Sequence, residues 1–76
     1  MTRVEIEYCV PCGHLDRAID TQRRLLERLG RNVDHVALRP GDGGVFVVRV
    51  DGERVFDKAD EAYDLDAIAD RVTARV

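Results

Sequence analysis

Residues 3–8, RVEIEY, alternate strictly between apolar and charged, with Val4, Ile6 and Tyr8 on one side and Arg3, Glu5 and Glu7 on the other. A period of two predicts a half-buried strand. From Gly13 to Leu29 the period changes. Leu15, Ala18, Ile19, Gln22, Leu25, Leu26 and Leu29 recur at i, i+3, i+4, i+7 spacing, which predicts an amphipathic helix. Pro11 suits the first helical turn, where its missing N–H is not needed. Gly30 suits the position just past the helix end, and Arg24, Arg28 and Arg31 complement the C-terminal dipole.

Residues 32–38, NVDHVAL, read as a second strand, and Pro40-Gly41-Asp42-Gly43-Gly44 as a loop. Residues 45–50, VFVVRV, and 53–58, ERVFDK, flank Asp51-Gly52, a strong two-residue hairpin signal. Asp64 is a fitting N-cap for a last helix whose face is Leu65, Ile68, Ala69 and Val72. The order β-α-β-β-β-α predicts an α/β (α+β) fold. Its first two strands are parallel, joined by a right-handed crossover. We expect a four-stranded mixed sheet in order 2-1-3-4 with both helices on one face. The first strand is central because its carboxyl end delivers the stretch EYCVPCGH. No linker or internal repeat interrupts residues 1–76, so one domain is expected.

Composition narrows the compartment and the partners. The chain has 76 residues, 45% of them apolar but only 5% aromatic, so its core must be largely aliphatic. No basic n-region with an apolar run opens it, and no stretch approaches the ~20 apolar residues of a membrane span. The expectation is a soluble, cytoplasmic protein. The net charge of −3, with ten aspartates and a single lysine, Lys58, gives no general attraction to nucleic acid.

Both cysteines, Cys9 and Cys12, fall within CVPC. In a reducing compartment such spacing points to redox catalysis or metal binding rather than structural cross-linking. A bridge over so short a loop also constrains the unfolded chain little. Three readings stay open. A redox centre needs a thiolate and a nearby second thiol, and a strand-to-helix junction at i, i+3 spacing supplies both, with the helix N-terminus stabilising the thiolate. A zinc site has to combine the two cysteines with His14 and recruit His35 from the far strand. The third reading is a pair of buried, inert thiols. The redox reading fits best, and it calls for no cofactor and no metal.

Around the motif, His14 reads as solvated in the first helical turn, with orientation or protonation of a sulfur as the alternative. His35 reads as a structural or surface residue, and Tyr8 as core. Arg17, Arg23, Arg24 and Arg28 read as a solvated face pairing with Asp20 and Glu27 along the helix. Gly43-Gly44 reads as a turn, or as backbone room beside the motif.

IEYCVPCGH resembles the N-terminal motif of the selenoprotein W-like (Rdx) family, in which a strand ends in Tyr-Cys-x-x-Cys/Sec-Gly. GVFVVRVDG at 44–52, followed by Val55-Phe56-Asp57-Lys58, resembles that family's second block. The resemblance implies a thioredoxin-like fold and a thiol–disulfide oxidoreductase-type role. Cys9 and Cys12 would be its redox pair, with Cys12 where some members carry selenocysteine. The partner would be a protein thiol or a low-molecular-weight thiol. Val47 replaces the family's usual glutamate. Compared with thioredoxins proper, the loop 39–44 is too short for a helix between the second and third strands, and no proline directly precedes the third strand, Pro40 lying too early. Thioredoxin logic, with the free N–H groups of a first helical turn, points to an exposed Cys9 as the attacking sulfur and an inward Cys12, whereas the selenocysteine position points to Cys12 as the attacker.

Overall fold

The computed structural model describes residues 2–76. Strand β1 (Arg3–Cys9) leads through a turn to helix α1 (Leu15–Leu29), and a 3-10 turn at Gly30–Asn32 precedes strand β2 (His35–Gly41). Strands β3 (Phe46–Val50) and β4 (Glu53–Asp57) form a hairpin, and helix α2 (Leu65–Thr73) ends the chain. The sheet order is β2-β1-β3-β4, with β1 and β2 parallel and the other pairs antiparallel. This is the four-stranded mixed sheet expected from the patterning, with β1 central.

The alternation of β1 decides the layers. Val4, Ile6 and Tyr8 are buried in one cluster with Ala18, Leu25 and Leu29 of α1 and Ile68, Ala69 and Val72 of α2. Both helices therefore cover one face. On the other face Arg49 lies 3.1 Å from Glu7 and 3.7 Å from Glu5, and Arg39 lies 3.4 Å from Glu5. The ladder crosses three strands and gives that side its solvent-facing charge pairing.

Asp51 (φ 51°) and Gly52 (φ 86°) both take positive φ, as a type I′ turn requires. A Cβ at Gly52 would meet nothing within 4 Å, so strain from φ alone sets the cost of a side chain there. Gly52→Val should lower stability by about 1 kcal/mol or more, read from a urea melt. An unchanged midpoint would mean that the turn tolerates a β-branched residue. Beyond the turn, Arg49 pairs with Arg54 but Val48 pairs with Phe56, leaving Val55 as an extra residue in β4. That bulge is why two consecutive residues, Val55 and Phe56, are both buried.

Three boundaries differ from the sequence reading. Strand β2 runs over His35–Gly41 rather than 32–38, and it takes in Pro40 and Gly41, which read as loop. Parallel pairing with β1 sets this register, Arg3 opposite His35 and Cys9 opposite Gly41. Pro40 is tolerated because β2 is an edge strand, where a missing N–H costs no ladder bond. The same edge is covered at Val36, whose carbonyl accepts a 2.8 Å bond from Gln22 Nε2 of α1. Helix α1 begins at Leu15 rather than near Gly13.

Only part of its predicted stripe is buried, and Thr21 joins it. Ala18, Thr21, Leu25 and Leu29 are buried, whereas Leu15, Ile19 and Leu26 remain exposed. Thr21 is accommodated because its hydroxyl donates to the Arg17 carbonyl and pairs with the Tyr63 hydroxyl, each at 2.8 Å. Arg24 and Arg28 turn to α2 rather than along their own helix: Arg24 bonds Asp66 at 2.6 Å and Arg28 bonds Asp70 at 2.8 Å. Equal i, i+4 spacing on two helices running the same way makes the match. Helix α2 starts as expected, with Asp64 Oδ1 accepting from the Ala67 N–H at 3.1 Å.

Candidate functional site

Cys9 is the last residue of β1, and Cys12 lies in the turn that follows it. The turn has the hydrogen bonds of a helix end compressed into one loop. The His14 N–H donates to the Cys9 carbonyl at 3.3 Å, and inside that bond the Gly13 N–H donates to the Val10 carbonyl at 3.2 Å. Such a nested pair requires its fifth residue in the left-handed region, and Gly13 has φ 74°. Pro11 occupies the second position of the inner turn, where its fixed φ is favoured. It is therefore a turn residue and not part of the first helical turn. The Val10 N–H donates to the Gly41 carbonyl at 3.0 Å, tying the turn to β2.

This local path brings the two sulfurs together. Cys9 and Cys12 form a disulfide, with their Cα atoms 5.3 Å apart. Their environments are unequal. Cys9 is fully buried, whereas Cys12 is exposed. The expectation of an exposed Cys9 and an inward Cys12 is thus reversed. Its premise was a helix that starts at the motif; instead Cys9 closes a central strand and Cys12 sits on the outside of the turn.

His14 departs from its sequence reading as well. It is only partly exposed, and its Nδ1 is buried without a hydrogen-bond partner. Its ring lies 6.2 Å from that of Phe46. Burial first, and then the positive charges of Arg17 and Lys58, push its pKa below the ordinary value. A pH prediction follows from the sign. With a lowered folded pKa, the unfolded chain takes up the proton first as pH falls through 6.5, so stability is lost from there down to the folded pKa. Urea midpoints should therefore fall between pH 7 and pH 5.5, and His14→Phe should flatten that slope. A slope unaltered in the variant would assign it to other groups.

Several residues around His14 carried no motif that could flag them. Arg17 holds its guanidinium 4.6 Å over the Tyr63 ring, and Tyr63 meets Phe46 edge-on at 5.5 Å. Lys58 is anchored by its N–H bond to the Phe46 carbonyl at 3.0 Å. Only the placement of His14 directly after CxxCG hinted at this cluster.

The remaining sequence candidates fall elsewhere. Tyr8 is in the core, as expected. His35 is opposite Arg3 at the start of β1, whereas Cys9 ends that strand, so His35 and the motif stand about 20 Å apart along the sheet. A zinc site built from both is incompatible with that separation. Among the described residues, no three His, Cys, Asp or Glu side chains are grouped to hold a metal ion. Gly43 and Gly44 lie in the turn between β2 and β3. Val47 is buried opposite Glu7, where a glutamate would have placed a second carboxylate beside it.

A search among curated proteins finds no match. Solved structures do. A protein from Bordetella parapertussis superposes with a TM-score of 0.94 at 32% identity, covering 99% of this chain and 98% of the other. A selenoprotein W-related protein from Vibrio cholerae shares the fold with a TM-score of 0.91 at 24% identity, covering 97% and 95%. The model of the Rdx family matches residues 3–74, spanning both the CVPC turn and the β3–β4 hairpin. By that match this chain belongs to the Rdx family.

Proposed function

We propose that this protein is a thiol–disulfide redox protein of the cytoplasm that exchanges a disulfide at Cys9 and Cys12 with a thiol partner. The observation that carries the reading is the pairing itself: a disulfide between a buried and an exposed cysteine. Among the described residues, no helix is long and apolar enough to cross a membrane.

The exchange balances in two steps. In the reduced form the Cys12 thiolate attacks a partner disulfide, forming a mixed disulfide and expelling one partner thiolate. The Cys9 thiolate then attacks Cys12 Sγ, closing the intramolecular disulfide and expelling the second partner thiolate. Two electrons pass to the partner, and the protons given up by Cys9 and Cys12 end on its two thiols. The reverse sequence oxidises a dithiol partner. The first step needs access, which Cys12 has; the second needs only proximity, which the turn gives Cys9.

The test is a thiol count and a potential. Dithiothreitol should release two reactive thiols per chain, and re-oxidation should restore the bridge. Its midpoint should fall among exchange proteins, roughly −120 to −270 mV. One zinc per chain retained after desalting, with no reversible couple, would instead favour a metal-binding interaction module.

A further inference from the structure

One row on the exposed surface of α1 is apolar, although Asp16, Asp20, Arg23 and Glu27 are exposed beside it. Leu15 (45% exposed), Ile19 (44%) and Leu26 (44%) stand on it, and Val10 (54%) projects from the CVPC turn. Leu15, Ile19, Gln22 and Leu26 follow i, i+4, i+7, i+11 spacing, a single row on the helix. Gln22, the one polar member, is bonded to the Val36 carbonyl of the sheet edge, so its stem continues the row. Arg24 and Arg28 turn to Asp66 and Asp70 of α2 and Arg17 covers Tyr63, on the far side of the helix, while exposed Asp16 and Arg23 border the row. The helical row runs about 16 Å from Leu15 to Leu26, and Val10 is exposed between the two cysteines. An extended peptide of about five residues spans that distance.

We infer that this row is the docking surface for a protein client during exchange, and that the preferred client cysteine is flanked by apolar residues. The inference rests on the redox reading above and names its substrate class. Two arguments select a transient client over a stable second copy. Four half-exposed side chains offer far less than the ~800 Å² per partner of a standard stable interface. An exchange reaction needs no more, because the mixed disulfide at Cys12 itself holds the client for the second step. A small thiol, by contrast, has no apolar length to lay along the row.

The test compares three probes with the protein in its oxidised form. One is an eight-residue peptide with a single cysteine followed by alternate leucines. The second has serines in place of the leucines, and the third is 2-mercaptoethanol. Rates of mixed-disulfide formation are followed by mass spectrometry for wild type and for Ile19→Gln/Leu26→Gln. Expected is about tenfold faster reaction with the leucine peptide than with the serine peptide in wild type. The double variant should lose that preference and keep the wild-type rate with 2-mercaptoethanol. Equal rates for the two peptides in wild type, or a preference that survives in the variant, would overturn the docking surface while leaving the redox reading intact. No reaction with any probe would overturn the redox reading and this inference with it. Sedimentation provides the remaining arm: a wild-type dimer that the double variant dissociates would assign the row to a second copy and overturn the client.

Discussion

Phe46→Ala should cost about 3–5 kcal/mol, more than any other single truncation outside the redox motif. Phe46 is fully buried in β3, in register with Tyr8 of the central strand. Its ring meets Phe56 at 6.2 Å and Tyr63 at 5.5 Å, both edge-on, and His14 at 6.2 Å. Such edge-to-face pairs contribute beyond the area they bury. The chain has only two phenylalanines and no tryptophan, so this ring is a large share of its aromatic core. A domain of this length is stable by roughly 4–11 kcal/mol in total, and the truncation removes a large part of it. Thermal melts should shift down by about 15 °C or more. Phe46→Leu, which keeps most of the volume, should cost well under half as much. If the two variants melted alike, the ring stacking would not be the source. The His14 pKa should rise towards its ordinary value in Phe46→Ala, because burial is the largest cause of its depression.

The fold was legible because its periods are clean. Val4, Ile6 and Tyr8 alternate with charge on β1, Asp51-Gly52 admits the two positive φ values of the hairpin, and Asp64 caps α2. Where reading failed, a tertiary contact had decided the matter. Apolar counting along α1 joins two adjacent rows, one with Leu15, Ile19 and Leu26 and one with Ala18, Leu25 and Leu29, and leaves Thr21 out of both. The packed row does contain Thr21, whose hydroxyl becomes buriable only when Tyr63, 42 residues on, supplies its partner. Pro40 and Gly41 read as loop because composition does not say that β2 lies at an edge. Arg24 and Arg28 were assigned to their own helix because nothing in α1 shows that α2 runs beside it with Asp66 and Asp70.

The site was legible as a pair and misread as a geometry. C-x-x-C after a strand identified Cys9 and Cys12, but the reading ran the helix straight through the motif. Gly13 argues against that, since a glycine with φ 74° closes a turn before a helix can start. The helix then begins at Leu15, and the exposure of the two sulfurs changes places.

That exchange of places sets the largest functional expectation. Cys12→Ser should abolish disulfide exchange, to the background rate of the uncatalysed reaction and about a hundredfold or more below wild type, because the accessible sulfur is gone and a hydroxyl does not replace a thiolate. Its stability should change little, since Cys12 is exposed and the bridge closes a very short loop. Cys9→Ser should behave differently. Cys12 can still attack, but no resolving thiol follows, so the variant should accumulate a stable mixed disulfide on Cys12. Burying a hydroxyl where Cys9 is fully enclosed should also cost about 1–3 kcal/mol. In reduced wild type, iodoacetamide at limiting amounts should label Cys12 first, by peptide mapping. A mixed disulfide retained by Cys12→Ser rather than Cys9→Ser, or labelling that begins at Cys9, would give the attack to the buried sulfur. The turn would then have to open before reaction, and Gly13→Ala, which strains that turn, should alter the rate of attack. With Cys12 attacking from the closed turn, the same substitution should lower stability and leave the rate of the first step near wild type.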